Sequence, residues 1–83
     1  MKYLVMTIRT PCFQASVVPA HKQFLADLEQ QGVLELAGPF TDKTGGAYLI
    51  SADSHEAAKA IAYSDPVHTT GSSTVTVYEW NAS

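Results

Sequence analysis

The chain has one cysteine, Cys12, in 83 residues, so no disulfide can form within it and no zinc-binding cysteine spacing exists. A lone thiol fits a reducing, cytoplasmic setting. No apolar run approaches the ~20 residues of a membrane-spanning helix, and the stretch 1–6 is too short to read as a signal peptide. Lysine and arginine total five against eight acidic residues, for a net charge of -3. The basic stripe with stacking aromatics that nucleic acid demands is missing, so nucleic acid is not an expected partner. The three histidines, His21, His55 and His68, show no i, i+3 or i, i+4 metal spacing. Gly45-Gly46 lacks the lysine and following helix of a phosphate loop and reads as a hairpin turn. Neither a metal nor any other cofactor is expected.

What is there makes one domain, 1–83, too short to bury more than roughly 60–65% of its unfolded surface. With no disulfide or metal, association with a second copy is the usual route to stability. Residues 2–8 alternate as a strand, with Leu4, Met6 and Ile8 on one face and Tyr3, Val5 and Thr7 on the other. Residues 9–16 read as a loop. Pro19 suits the first position of a helix that places His21, Leu25 and Leu28 on one stripe, flanked by Phe24. Lys22, Asp27, Glu29 and Gln30 face outward, and Gly32 stops the helix. Strand 33–40 ends at Gly38-Pro39, turn 41–46 follows, and strand 47–51 completes a hairpin. Asp53 with Glu56 three residues on reads as a capping box for a helix that ends at Asp65-Pro66. Residues 67–73 are loop, and 74–80 form a last alternating strand.

The order β-α-β-β-α-β is that of the ferredoxin-like α+β fold: a four-stranded antiparallel sheet with two helices on one face. Apolar bulk falls on both sheet faces, with Thr74, Tyr78 and Trp80, or else Val75 and Val77, turned outward. A sheet face of that kind predicts a homodimer joined sheet to sheet.

His21 is the leading candidate for chemistry, because only histidine gives and takes a proton near neutral pH without special help. The alternative is a ring packed on the Leu25–Leu28 stripe. Asp65, locked by Pro66, could fix the tautomer of such a ring, or it could simply end a helix. Arg9 at a strand end could hold a substrate oxyanion, or be a solvated surface arginine. Gly38 and Pro39 shape a pocket floor or turn the chain. His68 could line the same pocket, whereas His55 reads as exposed; Cys12 has no base beside it, and loop serines 72 and 73 are common.

Pro19-Ala20-His21, Leu25, Gly32, Leu36 and Ala37-Gly38-Pro39-Phe40 together resemble the YCII (YciI-like) family. The likeness continues through Ser54, Glu56-Ala57-Ala58, Asp65-Pro66 and Gly71, and spans residues 2–80. It implies a dimeric α/β-barrel assembly of ferredoxin-like chains and a His–Asp dyad that maps onto His21 and Asp65, with Pro66 orienting Asp65. A dehydrochlorinase of chlorinated hydroxyquinol rings is the best understood kind of member, and muconolactone-isomerase-like proteins share the architecture. Some members carry an acidic residue and an arginine before the histidine; residues 10–18 hold neither, and Arg9 is the available substitute. Two functions follow. The first is cofactor-independent proton transfer, as elimination or isomerisation, on a small cyclic or aromatic oxygenated substrate. The second is a non-catalytic module that binds a small ligand in the same pocket.

Overall fold

The computed structural model describes residues 1–82. In chain order it forms β1 (Lys2–Arg9), α1 (Val18–Gln30), β2 (Leu34–Pro39), β3 (Gly45–Ser51), α2 (His55–Ala62), α3 (Pro66–Thr69) and β4 (Ser73–Trp80). The strands make one sheet in the order β2-β3-β1-β4, and every neighbouring pair is antiparallel. This is the ferredoxin-like α+β arrangement that the element order implies.

Strand alternation decides which face is buried. Tyr3 pairs with Ile50 and Val5 with Tyr48 across β1–β3, while Val5 pairs with Val77 and Thr7 with Val75 across β1–β4. All seven side chains are buried, and they meet Val17, Leu28, Ala58, Ala62 and Val67 from the helical layer. Ala58 and Ala62 have no exposed surface; two small residues one turn apart let α2 approach the sheet closely. Truncating a residue at this centre, such as Ile50→Ala, costs about 2–5 kcal/mol.

The opposite sheet face carries Leu4, Met6, Ala47 and Leu49, with Leu36, Tyr78, Trp80 and Ile8 exposed beside them. Of the two outward sets open from the sequence, Thr74, Tyr78 and Trp80 is the one that faces out; Val75 and Val77 are core. Leu36, at the edge, is 66% exposed.

Local chemistry explains the element ends and three departures from expectation. Gly32 follows α1 at φ 77°, a conformation that glycine adopts without steric cost. Pro39 closes β2, an edge strand, where a missing N–H is tolerated. Helix α2 is capped by Ser54, whose Oγ accepts the Ala57 amide at 3.0 Å. The cap therefore falls one residue later than Asp53, and Glu56 serves as first-turn charge rather than as the arm of a capping box. Gly45 and Gly46 belong to β3, not to the turn, which is closed by Asp42 accepting from the Thr44 amide. Residues 67–73 hold a short helix: Asp65 caps α3 and Pro66 takes its first turn. A 3₁₀ turn, Ala15–Val17, leads into α1.

Among the described residues no helix is long and apolar enough to cross a membrane.

Candidate active site

Asp65 is fully buried, and its carboxylate is the hub of the site. Its backbone lies in the extended region, as a residue before proline prefers. That geometry turns the side chain back onto the start of α3, where Oδ1 accepts the Val67 amide at 3.0 Å. The Tyr48 hydroxyl, from β3, donates to Oδ2 at 3.0 Å. His21, in the first turn of α1, places Nδ1 2.8 Å from Oδ1 and 2.9 Å from Oδ2. Two elements far apart in sequence thus meet at one carboxylate.

The hydrogen bonds fix the ring's tautomer. A carboxylate already accepting from an amide and a hydroxyl offers only acceptor capacity, so Nδ1 of His21 is the donor. Nε2 then carries the lone pair, and it has no hydrogen-bond partner among the described residues. The ring is 22% exposed. Burial, then the negative charge of Asp65, then the hydrogen bond to it push the Tyr48 phenol far above its ordinary value. Tyr48 therefore stays a donor at every physiological pH. Its ring lies 6.3 Å from that of His21, centroid to centroid.

A cavity of about 320 Å³ opens beside this pair, walled by Thr7, Arg9, Phe13, Val18, His21, Lys22, Leu25, Tyr48 and Ser73, among others. Gly38, Pro39, Gly45, Gly46 and Ala47 contribute a stretch of bare or nearly bare backbone. The absence of side chains there is enforced at two positions. A Cβ on Gly45 would lie 1.9 Å from the Thr7 carbonyl oxygen, and one on Gly46 2.6 Å from that of Gly38. At Gly38 a Cβ would meet nothing.

Arg9 is held at the cavity rim. Its amide donates to the Thr44 carbonyl at 2.9 Å, and its guanidinium carbon lies 4.2 Å from the centroid of the Phe13 ring. That stacking limits its plane to few orientations. Behind it, Thr10 Oγ1 donates to the Gly71 carbonyl at 2.7 Å, which ties the end of β1 to the approach of β4.

Of the residues singled out from the sequence, His21, Arg9, Gly38 and Pro39 line the cavity together. Asp65 and Pro66 stand behind the ring and do not reach it. His68 is exposed and stacks on Tyr63 at 4.6 Å instead. His55 is exposed as expected, with Nε2–H donating to the Val77 carbonyl at 2.9 Å. Ser73 lines the wall, whereas Ser72 is buried against Thr70. Among the wall residues that the sequence does not single out, Tyr48 and Lys22 bear most on the chemistry. Tyr48 reads from the sequence as an ordinary strand aromatic, and only the fold shows what its hydroxyl reaches. Lys22 reads as outward-facing, yet it lines the cavity, because the wall extends round the side of α1. Among the described residues no three His, Cys, Asp or Glu side chains converge as a metal site would require.

Comparison with known proteins bears on this arrangement at two levels. Among solved structures the fold resembles 5-chloro-2-hydroxyhydroquinone dehydrochlorinase (TftG) from Burkholderia phenoliruptrix AC1100, in complex with 2,5-dihydroxybenzoquinone. That match has a TM-score of 0.73 and 21% identity, over 100% of this chain and 96% of that one; at such identity the likeness speaks for the fold. The chain is also 46% identical over 78 residues to "Uncharacterized protein YjpA" of Bacillus subtilis (strain 168), covering 94% of this chain and 92% of that protein. The model of the YCII-related domain matches residues 1–81. With nearly the whole chain matched and a relative at this identity, the chain belongs to the YCII-related domain family.

Proposed function

We propose that this chain, as one domain over 1–83, catalyses cofactor-independent proton transfer on a small cyclic or aromatic oxygenated substrate. The observation that carries the reading is the Nδ1–Asp65 hydrogen bond at 2.8 Å on a ring that walls a cavity. With Nδ1–H donated to the carboxylate, Nε2 is the base. It takes a proton from carbon or hydroxyl, and Asp65 stabilises the imidazolium that forms. In an elimination the leaving group departs from the neighbouring carbon with its electron pair; in an isomerisation His21 returns the proton elsewhere on the substrate. Arg9 holds the oxyanion that develops. Gly38 and Pro39 bound the substrate, and Pro66 orients Asp65. The neighbouring fold's dehydrochlorinase of a chlorinated hydroxyhydroquinone, bound to a dihydroxybenzoquinone, supports elimination on an oxygenated ring. The missing acid–arginine pair before His21 argues for a different substrate.

The reading includes a homodimer joined through the outer sheet face, which the exposure of Leu36, Tyr78 and Trp80 supports. A monomer by light scattering at micromolar concentration would reject it. The free, exposed thiol of Cys12 supports a cytoplasmic setting.

One observation favours a second reading. Asp65 also caps α3 and accepts from buried Tyr48, duties it would have in a ligand-binding protein that does no chemistry. Turnover of a panel of hydroxylated and chlorinated ring compounds by wild type, His21→Ala and Asp65→Asn decides between them. Loss of turnover by on the order of 10²-fold in both variants is the expected result. Thermal shifts with ligands but no turnover by wild type favour the binding protein.

A further inference from the structure

The basic residues of this acidic chain are few, and two of them stand at one place. Of five lysines and arginines in the sequence, Arg9 and Lys22 line the same cavity as His21, while no aspartate or glutamate does. Neither is ion-paired among the described residues, where the salt bridges are Lys2–Glu35 and His21–Asp65. Asp65, on the other side of the His21 ring, is fully buried and already accepts from three groups. The cavity therefore has two unpartnered cations on its wall and no acid to balance them.

Most of the rest of the wall is apolar or small, with Phe13, Val18 and Leu25 lining it together with the glycine backbone. Cations around a concave apolar surface concentrate anions there more strongly than cations on an open face. The two differ in what they can hold. A guanidinium stacked on an aromatic ring presents a fixed planar fork, which matches the two oxygens of a carboxylate. A lysine adds a mobile point charge that tolerates either oxygen. A cavity of about 320 Å³ sits at the small end of the range for ligand sites and suits a single ring.

We propose that the cavity takes a ring-bearing monocarboxylate, its carboxylate shared between Arg9 and Lys22 and its ring against Phe13, Val18 and Leu25. Lys22 is then a specificity residue, selecting an anion over a neutral ring of the same size. The inference rests on the proton-transfer reading only in placing the reacting atom toward His21 Nε2; the binding claim stands without it.

The test is an amide NMR titration of the full chain with benzoate, benzamide and benzylamine, three probes of one size and different charge. Benzoate is expected to shift the amides of Gly46 and Ala47 and to bind at least tenfold more tightly than benzamide, with benzylamine weakest. Lys22→Gln and Arg9→Gln should each weaken benzoate by about tenfold, and Lys22→Arg should restore most of the loss. Both side chains are exposed, so the variants keep the core intact. Equal affinity for benzamide, no benzoate binding, or benzoate binding indifferent to both glutamines would overturn the inference. The two proposals fail separately. Benzoate selectivity through Lys22 with no turnover on any ring compound keeps this inference and removes the enzyme. Turnover that depends on His21, on neutral rings and without benzoate preference, removes this inference alone.

Discussion

The two halves of the chain, β1-α1-β2 and β3-α2-β4, run the same plan to different ends. Each has a histidine in the first turn of its helix, near a buried tyrosine: His21 beside Tyr48 at 6.3 Å, His55 beside Tyr3 at 5.6 Å. In one corner both polar groups converge on the buried Asp65, and the ring faces a cavity. In the other they part. His55 donates to the Val77 carbonyl, and the Tyr3 hydroxyl donates to Glu79 at 3.2 Å, on an exposed residue. What separates the two corners is the third group, a buried carboxylate in one and a peptide carbonyl in the other, and under the proposed reading that group, from a distant turn, is what would make His21 a base.

Six substitutions would break or sharpen this contrast. The largest effect is on chemistry: His21→Ala should cut turnover by on the order of 10²-fold or more, while His55→Ala leaves it within a factor of two in the same assay. Next is stability at the hub. Asp65→Ala strands the Tyr48 hydroxyl and the Val67 amide in the core and removes a helix cap, a loss of about 2–4 kcal/mol by urea denaturation. Glu79→Ala, its counterpart, takes the partner from the Tyr3 hydroxyl, but at an exposed position where water can replace the carboxylate, and should cost clearly less than Asp65→Ala in the same measurement. Tyr48→Phe is smaller, about 1 kcal/mol at neutral pH, but it has a pH signature. The folded phenol is held far above its ordinary value, so its contribution is complete below the unfolded value of about 10 and is lost as pH rises beyond that. The melting temperature of wild type should therefore fall above pH 10 more steeply than that of Tyr48→Phe. Smallest is the exposed pair of Lys2 and Glu35 at 2.7 Å. The lysine holds the Glu35 carboxyl below its usual value, so whatever the pair adds is present above the usual glutamate range, lost on acidification and weakened by salt. Glu35→Gln should leave the neutral melting temperature unchanged within error.

The same contrast shows how far the sequence could be read. Strands, helices and their order followed from alternation in 2–8 and 74–80, from the Leu25–Leu28 stripe, and from Gly32 and Pro66. The pairing of His21 with Asp65 was suggested by their chemistry and by the family's pattern, but their contact was not legible, because 44 residues separate them and no local rule sets that distance. Helix α3 was written in Asp65-Pro66, which is as good a cap and first turn as it is a helix end; the second reading concealed the first. Tyr48 and Lys22 left no local signal. A tyrosine in a strand and a lysine on a helix are ordinary, and their roles arise from register and from the curvature of the cavity wall. Gly45-Gly46 reads as a turn because glycine pairs usually make one, whereas here the need is close backbone approach.

That close approach limits how the protein can change. Where Gly45 and Gly46 meet Thr7 and Gly38, the cavity boundary is main chain with no room for a methyl group. Mutation cannot add a side chain at either of these two positions without moving the backbone. Descendants of this chain that acquire a new ligand must do so from the opposite wall, through Arg9, Phe13, Lys22 and Leu25. Variation among relatives is therefore expected to gather on the helix and the strand end, over a floor that stays the same.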